Sequence, residues 1–238
     1  SDGSKGEYAS KEMIQAHEGL FGMESQMWER IEENDLDYAD EDFGAFQEPM
    51  SVIEQEEALK LYDAGADIYL ITNFSSPMYV TERMEIERGP EHYQMSMTEL
   101  ERFRNLEWEM QKYPQIQSLK EANLLLGTRR VFGIYQIRDD SPGENYAFMN
   151  MSFIESHGMQ IKKEDYKLVY VGELSGNMSL DDIFERFNID RPEDFRGHSL
   201  SVSDIVVLND GEKVTAHFVD SISFEQLDSF LNLEEQVL

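Results

Sequence analysis

The residues best suited to chemistry lie together in the run Gly197-His198-Ser199-Leu200-Ser201-Val202-Ser203-Asp204. Hydroxyl, imidazole and carboxylate are the groups of a nucleophilic triad, but a hydrolase elbow requires Gly-x-Ser-x-Gly, and this run lacks the second glycine. The alternative is a tight loop whose serine and aspartate side chains hydrogen-bond local amides. The pattern favours that structural loop, with ligand binding as the functional alternative, and it indicates no catalytic residue. The candidate binding residues are His198, Ser199, Ser201, Ser203, Asp204 and His217.

Metal and phosphate chemistry lack their usual motifs in this sequence. The five histidines show no His-x-x-x-His spacing, which would place two imidazoles on one helical face. The segment Asp35–Asp40 superficially resembles a calcium loop, but it lacks the ligand at position five and the glycine at position six. Neither Gly-x-x-x-x-Gly-Lys nor Gly-x-Gly-x-x-Gly occurs. The sequence therefore predicts no metal site and no cofactor.

The candidate loop lies between segments that read as a helix and a hairpin. Ser179 is suited to cap a helix that continues through Phe187. Two apolar runs flank Asn209-Asp210-Gly211, which is a strong hairpin signal. Residues 131–137 and 168–171 read as two further strands.

The preceding segment reads as richer in helix. Ser51 followed by Glu54 resembles a capping box and predicts a helix from Ser51 to about Gly65. We predict a strand at 68–71 and helices at 97–110, capped by Thr98, and at 116–126; residues 78–88 are consistent with either a strand or a helix.

These elements predict an α+β protein in three parts. Residues 1–50 form an acidic helical arm, residues 51–127 a small helix-rich α+β unit, and residues 128–238 a C-terminal α+β domain with a mainly antiparallel sheet. One continuous core joining the second and third parts is the alternative.

Charge is the strongest compositional signal. The 238 residues include 49 Asp and Glu against 20 Lys and Arg, a formal net charge of −29. Such a protein repels phosphate backbones and anionic lipid, so we expect no direct nucleic-acid or membrane binding. It attracts basic surfaces, and a protein partner is expected, with a basic DNA-binding protein as one candidate. The candidate acidic interaction face comprises Asp35, Asp37, Asp40, Glu41 and Asp42.

Cysteine is absent, which excludes a disulfide framework and a thiolate metal site. No apolar run approaches the ~20 residues that span a bilayer. The expected location is cytoplasmic.

A family resemblance covers residues 131–230. Its residues, in order, are Tyr135-Gln136-Ile137, Phe148-Met149-Asn150, Leu168-Val169-Tyr170, the run 197–206 that contains the candidate loop, and His217 with Val219-Asp220-Ser221. This region resembles a YodL-type domain, a module frequent in proteins of Gram-positive conjugative and integrative elements. The resemblance implies a genetic setting, and it transfers no activity and no catalytic residue.

Three functions follow as hypotheses. The first is a non-catalytic accessory module of a mobile genetic element that binds another protein. The second is an acidic DNA mimic that, like antirestriction proteins, occupies the DNA groove of a DNA-binding protein. The third is an enzyme of unrecognised type centred on His198, Asp204 and His217.

Overall fold

The computed structural model describes residues 49–71 and 78–233. Helices and antiparallel sheets build it, which confirms the predicted α+β class. The chain divides into two compact units, one ending at Arg104 and the other beginning at Asn105. The predicted acidic arm lies almost entirely outside the described residues, and the three-part domain division remains a prediction.

The first unit contains a four-stranded antiparallel sheet in the order β1-β4-β2-β3. Its elements are β1 (Met50–Glu54), α1 (Gln55–Asp63), β2 (Tyr69–Leu70), β3 (Met78–Tyr79), α2 (Arg83–Glu87) and β4 (His92–Ser96), and α3 (Met97–Met110) begins directly after β4. The predicted helix at 97–110 is confirmed, and residues 78–88 hold both a short strand and a short helix.

The helix predicted from Ser51 is wrong in its first turn. Met50–Glu54 is strand β1, paired with β4 so that Ile53 lies opposite Tyr93, and α1 begins only at Gln55. Pairing with a distant strand overrides the local capping pattern, because it buries Ile53 and forms backbone hydrogen bonds with β4 along the strand. The predicted cap of α3 is also wrong, since Ser96 Oγ accepts the hydrogen bond from Glu99 N at 3.4 Å.

The second unit contains a five-stranded antiparallel sheet in the order β6-β5-β7-β8-β9, as predicted for the C-terminal region. Its elements after α3 are α4 (Leu119–Leu126), β5 (Val131–Ile137), α5 (Met151–Ser156), β6 (Tyr166–Glu173), α6 (Leu180–Ile189), β7 (Ile205–Asn209), β8 (Val214–Val219) and β9 (Phe224–Gln226). Short 3-10 helices span Pro142–Tyr146, Lys163–Asp165 and Asp228–Leu231. Within the described ranges, no helix has the length and apolarity needed to cross a membrane.

Strand β5 is the buried centre of this second unit, because both of its faces are covered. Phe132 and Ile134 pack in one apolar cluster with Ile183 of α6. On the other face, a Cβ added to Gly133 would lie 2.2 Å from Leu124 Cδ2, so α4 approaches the strand closely only because that position is glycine. A strand covered on both sides reads as a continuous apolar run, and this explains why the sequence identified it so clearly.

Local signals near the candidate loop are confirmed. Ser179 and Asp182 form a capping box at the start of α6, with Asp182 N donating to Ser179 Oγ at 3.2 Å. The predicted hairpin joins β7 and β8, and Gly211 in its turn has a φ of +93°. Asp210 Oδ1 accepts hydrogen bonds from two amides of the same turn, at 2.9 and 2.7 Å.

A buried ion pair between Lys163 and Glu121 connects α4 to the segment before β6. Lys163 Nζ donates to Glu121 Oε1 and, at 3.2 Å, to the Gln115 carbonyl oxygen. Glu121 also accepts from Tyr135 Oη at 2.9 Å and from Gln117 N at 2.9 Å, so its carboxylate is fully hydrogen-bonded although it is buried. Burial, with Glu121 beside it, raises the pKa of the Tyr135 hydroxyl well above its ordinary value, so this hydroxyl remains a donor.

We predict that Lys163→Ala lowers the free energy of unfolding by about 3–5 kcal/mol, because it leaves the Glu121 carboxylate buried without its cation. The neighbouring Lys162 is the matched control, since its ion pair with Glu164 is exposed and its removal should cost less than about 1 kcal/mol. Urea unfolding followed by circular dichroism measures both. Equal small losses in the two variants would show that the buried pair does not hold α4.

Candidate functional site

The candidate loop lies at one end of the five-stranded sheet, together with two other loops. Strand β5 ends at this edge and β7 begins there, since Tyr135 pairs with Ile205. The chain leaves β8 at the same edge, where Ser203 N donates to the Val219 carbonyl oxygen at 2.9 Å. Residues 138–150, 195–204 and 220–223 are therefore neighbours, although they are far apart in the sequence.

The centre of this edge is a hydrogen-bonded pair formed by Gln136 of β5 and Asp204, which precedes β7. Both side chains are buried. Gln136 Nε2 donates to Asp204 Oδ2 at 3.0 Å and to the His198 carbonyl oxygen at 2.9 Å, while Gln136 Oε1 accepts from His198 N at 3.1 Å. Asp204 Oδ2 also accepts from Ser201 N at 2.9 Å. One amide and one carboxylate thus hold most of the loop against the sheet.

Burial controls the charge of Asp204. Desolvation raises the pKa of its carboxyl from 3.8 to about 7, and three weaker effects oppose that rise: the His198 charge, the Ser201 amide and the Gln136 amide. His198 Nε2 lies 3.7 Å from Asp204 Oδ1, which is too long for a hydrogen bond, and the carboxylate attracts this ring only when the imidazole is protonated. Asp204 therefore changes protonation near neutral pH.

The imidazole of His198 is oriented by its neighbours. Its Nδ1 lies 2.8 Å from the Ser199 carbonyl oxygen and 3.0 Å from Gln136 Nε2. Because both amide hydrogens of Gln136 are already donated elsewhere, we assign the proton to Nδ1, donating to Ser199. The other ring nitrogen then faces Asp204, and the ring itself is 46% exposed.

Two of the three loop serines, Ser201 and Ser203, have hydroxyl groups that bind the backbone. Ser201 Oγ donates to the Ser199 carbonyl oxygen at 2.8 Å, and Ser203 Oγ accepts from Phe148 N at 2.8 Å. In the part of the chain that the structure describes, no serine hydroxyl hydrogen-bonds to the His198 ring. The contact between hydroxyl and imidazole that activates a serine nucleophile is therefore not formed here.

Two backbone positions of the run are under special constraint: Gly197 lies very close to a neighbouring side chain, and Ser203 has a positive φ. A Cβ at Gly197 would lie 2.4 Å from Gln136 Oε1, so only glycine permits the close approach on which the amide hydrogen bonds depend. Ser203 has a φ of +75°, and Phe148, whose amide it binds, has a φ of +63°. Neither is glycine, so each conformation costs about 1 kcal/mol and is maintained by its surroundings.

Five of the six predicted binding residues are thus brought together, and His217 is not. His217 lies within β8 opposite Val206, and its Nε2 is 2.9 Å from Thr215 Oγ1. Burial lowers the pKa of His217, while the negative charge of Asp228 partly opposes this. The predicted acidic face at Asp35, Asp37, Asp40, Glu41 and Asp42 lies outside the described residues. Within those residues, no three His, Asp or Glu side chains are grouped to hold a metal ion.

Sequence reasoning missed two important residues at this edge. Gln136 is the polar residue within an otherwise apolar strand, and a buried amide at such a position must find partners, so this signal was available. Phe148 is 64% exposed and its ring centre lies 5.7 Å from that of His198. Nothing in the sequence distinguishes this exposed aromatic residue from a core phenylalanine.

Comparison with known families finds a match within the second unit. Residues 131–230 match the family model of the YodL-like domain. The match covers β5 through β9 and so includes the whole hydrogen-bonded edge. It supports the YodL-type domain that the resemblance indicated. No curated protein and no solved structure matches the chain.

The titration of Asp204 in the YodL-like domain gives a testable pH dependence. Its carboxyl binds a proton more tightly in the folded chain, with a pKa of about 7, than at the ordinary value of 3.8. Stabilisation by this proton is therefore lost as the pH rises from about 4 to about 7. The isosteric variant Asp204→Asn keeps a neutral side chain, so wild type should lose about 3 kcal/mol relative to it across that range.

Urea unfolding of both proteins between pH 4.5 and 7.5 measures this difference. The control is Asp210→Asn, because hydrogen bonds from the Lys213 and Glu212 amides lower the pKa of exposed Asp210, and its titration falls below this range. A difference between wild type and Asp204→Asn that stays constant with pH would show that Asp204 is ionised throughout.

Proposed function

We propose that this protein is a non-catalytic protein-binding module that acts as an accessory protein of a mobile genetic element. Its contact is the Phe148 surface, which we define as Phe148, Met149 and Ile222 at the loop edge of the YodL-like domain. The observation that carries this proposal is Phe148 itself, whose ring is 64% exposed while its backbone is held in a left-handed conformation.

The strained conformation argues for a function of that ring. A non-glycine residue with positive φ costs about 1 kcal/mol, and such positions cluster at binding sites, where surrounding contacts maintain them. Here Ser203 Oγ accepts from Phe148 N, and Ser203 is itself anchored to Tyr166 Oη through its carbonyl oxygen at 2.9 Å. The buried network therefore fixes the backbone from which an exposed aromatic side chain projects, and this reduces the backbone entropy lost on binding.

Ile222 extends the apolar surface from the adjoining loop. It is 99% exposed in the turn between β8 and β9. Ser203 N donates to the Val219 carbonyl oxygen and Ser203 Oγ accepts from Phe148 N, so Ser203 links the start of this turn to the segment that carries Phe148. Exposed aromatic and aliphatic side chains on a rigid support are typical of the energetically dominant contacts in protein interfaces.

The YodL-like match supports the domain, and the mobile-element setting is proposed from the resemblance of this domain to modules of conjugative and integrative elements. Such a partner would be another protein of that element or of its host, in the cytoplasm. The charge of −29 supports a second candidate, in which the acidic surface mimics DNA and binds a DNA-binding protein. The two candidates differ in salt dependence, since charge contacts are screened at high salt and apolar contacts are not.

We expect the substitution Phe148→Asn to abolish partner capture without unfolding the protein. Asparagine tolerates positive φ better than other non-glycine residues, so the loop conformation is kept while the ring is removed. The control is Ile189→Asn, which removes an apolar side chain that is 77% exposed at the end of α6, outside the Phe148 surface. Full-length baits are used in lysate of a Gram-positive host carrying a conjugative element, and captured proteins are quantified by mass spectrometry.

A specific partner should survive a wash at ~0.5 M salt, fall at least about tenfold with Phe148→Asn, and remain with Ile189→Asn. DNA-binding proteins that are retained at ~0.05 M salt, shed at ~0.5 M and insensitive to Phe148→Asn would instead favour DNA mimicry. Capture at high salt that is equal for all three baits would contradict a role for the Phe148 surface. Thermal unfolding of each bait verifies that it is folded.

A further inference from the structure

Two of the segments that carry the Phe148 surface contain acids but no Lys or Arg, whereas Arg138 and Arg196 lie in the other loops of this edge. Residues 147–155 and 219–226 contribute both the apolar side chains and the acids Glu155, Asp220 and Glu225, and they contain no Lys or Arg. Within residues 49–71 and 78–233, none of these three acids forms a salt bridge. An apolar contact surface is thus combined with uncompensated acidic groups.

These carboxylates lie close enough to affect one another. Strands β8 and β9 pair so that Phe218 lies opposite Glu225 and Val219 opposite Phe224, which places Asp220 and Glu225 on either side of the same turn. Glu225 is also near enough to Glu155 to interact with its charge. Desolvation, the hydrogen bond to Asp220, and then the negative charges of Asp220 and Glu155 raise the pKa of Glu225. Mutual repulsion of this kind is relieved when a cation binds between the carboxylates.

We propose that the Phe148 surface docks a basic segment of a partner protein, in which a large apolar side chain contacts Phe148 and Ile222 while Lys or Arg side chains contact Glu155, Asp220 and Glu225. This inference rests on the proposed function and adds the chemistry of the partner. The apolar contact supplies affinity, and the carboxylates select the sign of the partner's charge and accelerate its association.

Charge excludes the other occupants. A second copy of the chain carries the same net charge of −29 and is repelled. The chain's own N-terminal segment is equally unsuitable, since residues 1–57 contain 17 acidic and three basic residues. Nucleic acid and anionic lipid are repelled for the same reason. A basic protein segment with an apolar anchor satisfies both parts of the surface.

The test uses a random dodecapeptide library displayed on phage and selected on the immobilised full-length protein at ~0.15 M salt. We expect selected peptides to combine several Lys or Arg with at least one large apolar residue. Synthetic versions of the selected peptides are then titrated by fluorescence anisotropy. Binding should weaken at least about tenfold with Phe148→Asn, and about three- to tenfold with the double variant Glu155→Gln/Glu225→Gln.

A matched double variant separates local charge from total charge. Glu185→Gln/Glu212→Gln changes the net charge by the same amount, on exposed positions in α6 and in the turn between β7 and β8, away from the Phe148 surface. It should weaken binding less than about twofold, because charges beyond ~8–10 Å are screened. Glutamine at position 225 keeps the size of the glutamate side chain and offers Asp220 an amide donor, so the variant removes charge and little else.

Three results would overturn the proposal: selection of neutral or acidic peptides, selection of none, or equal loss of binding in the two double variants. Partner capture from the lysate, repeated with the same double variants, distinguishes this failure from failure of the proposed function. If capture depends on Phe148 but not on Glu155 and Glu225, the proposed binding function stands and the proposal of a basic partner is wrong. Capture that is independent of Phe148 refutes both.

Discussion

The hydrogen bonds of the buried Gln136 amide, one to the Asp204 carboxylate and two to the His198 backbone, hold the candidate edge of the second unit together. Without them, the loop from Gly197 to Asp204 would have no attachment to β5 other than apolar packing. Their cost is the desolvation of a carboxylate, which appears as the elevated pKa of Asp204. Ser203, which precedes Asp204, accepts a hydrogen bond from Phe148 N. The buried polar pair is thus connected to the backbone that carries an exposed aromatic ring.

Three groups that suggest catalysis therefore have a different physical role. His198, the serines and Asp204 are close in space, as a triad requires, but their hydrogen bonds go to backbone groups and to Gln136. A serine nucleophile needs its hydroxyl directed at the imidazole, and here the hydroxyls of Ser201 and Ser203 fix the loop instead. The polar groups of this edge hold the loop in place, and one of them, the buried Asp204 carboxyl, has a raised pKa.

Rigidity and charge together suit the edge to recognition. The backbone of Phe148 is held by a hydrogen bond from its amide to Ser203, Ile222 lies on a short turn, and the acids beside them repel one another. An interface of this type gains affinity because little side-chain freedom is lost on binding, and it gains selectivity because a partner of the wrong charge leaves carboxylates unpaired. The contacts that stabilise the fold thus also prepare the surface.

The sequence alone determined the elements whose signals are local. The hairpin of β7 and β8, the cap of α6 at Ser179 and the apolar run of β5 depend on neighbouring residues, and all three were predicted. Tertiary structure decided the rest, because it depends on pairing between distant segments. Residues 50–54 became a strand through β4, Gln136 found Asp204 68 positions away, and Phe148 became exposed at a positive φ through Ser203. Exposure and long-range hydrogen bonding are properties of the folded arrangement, so neither could be read from the order of residues.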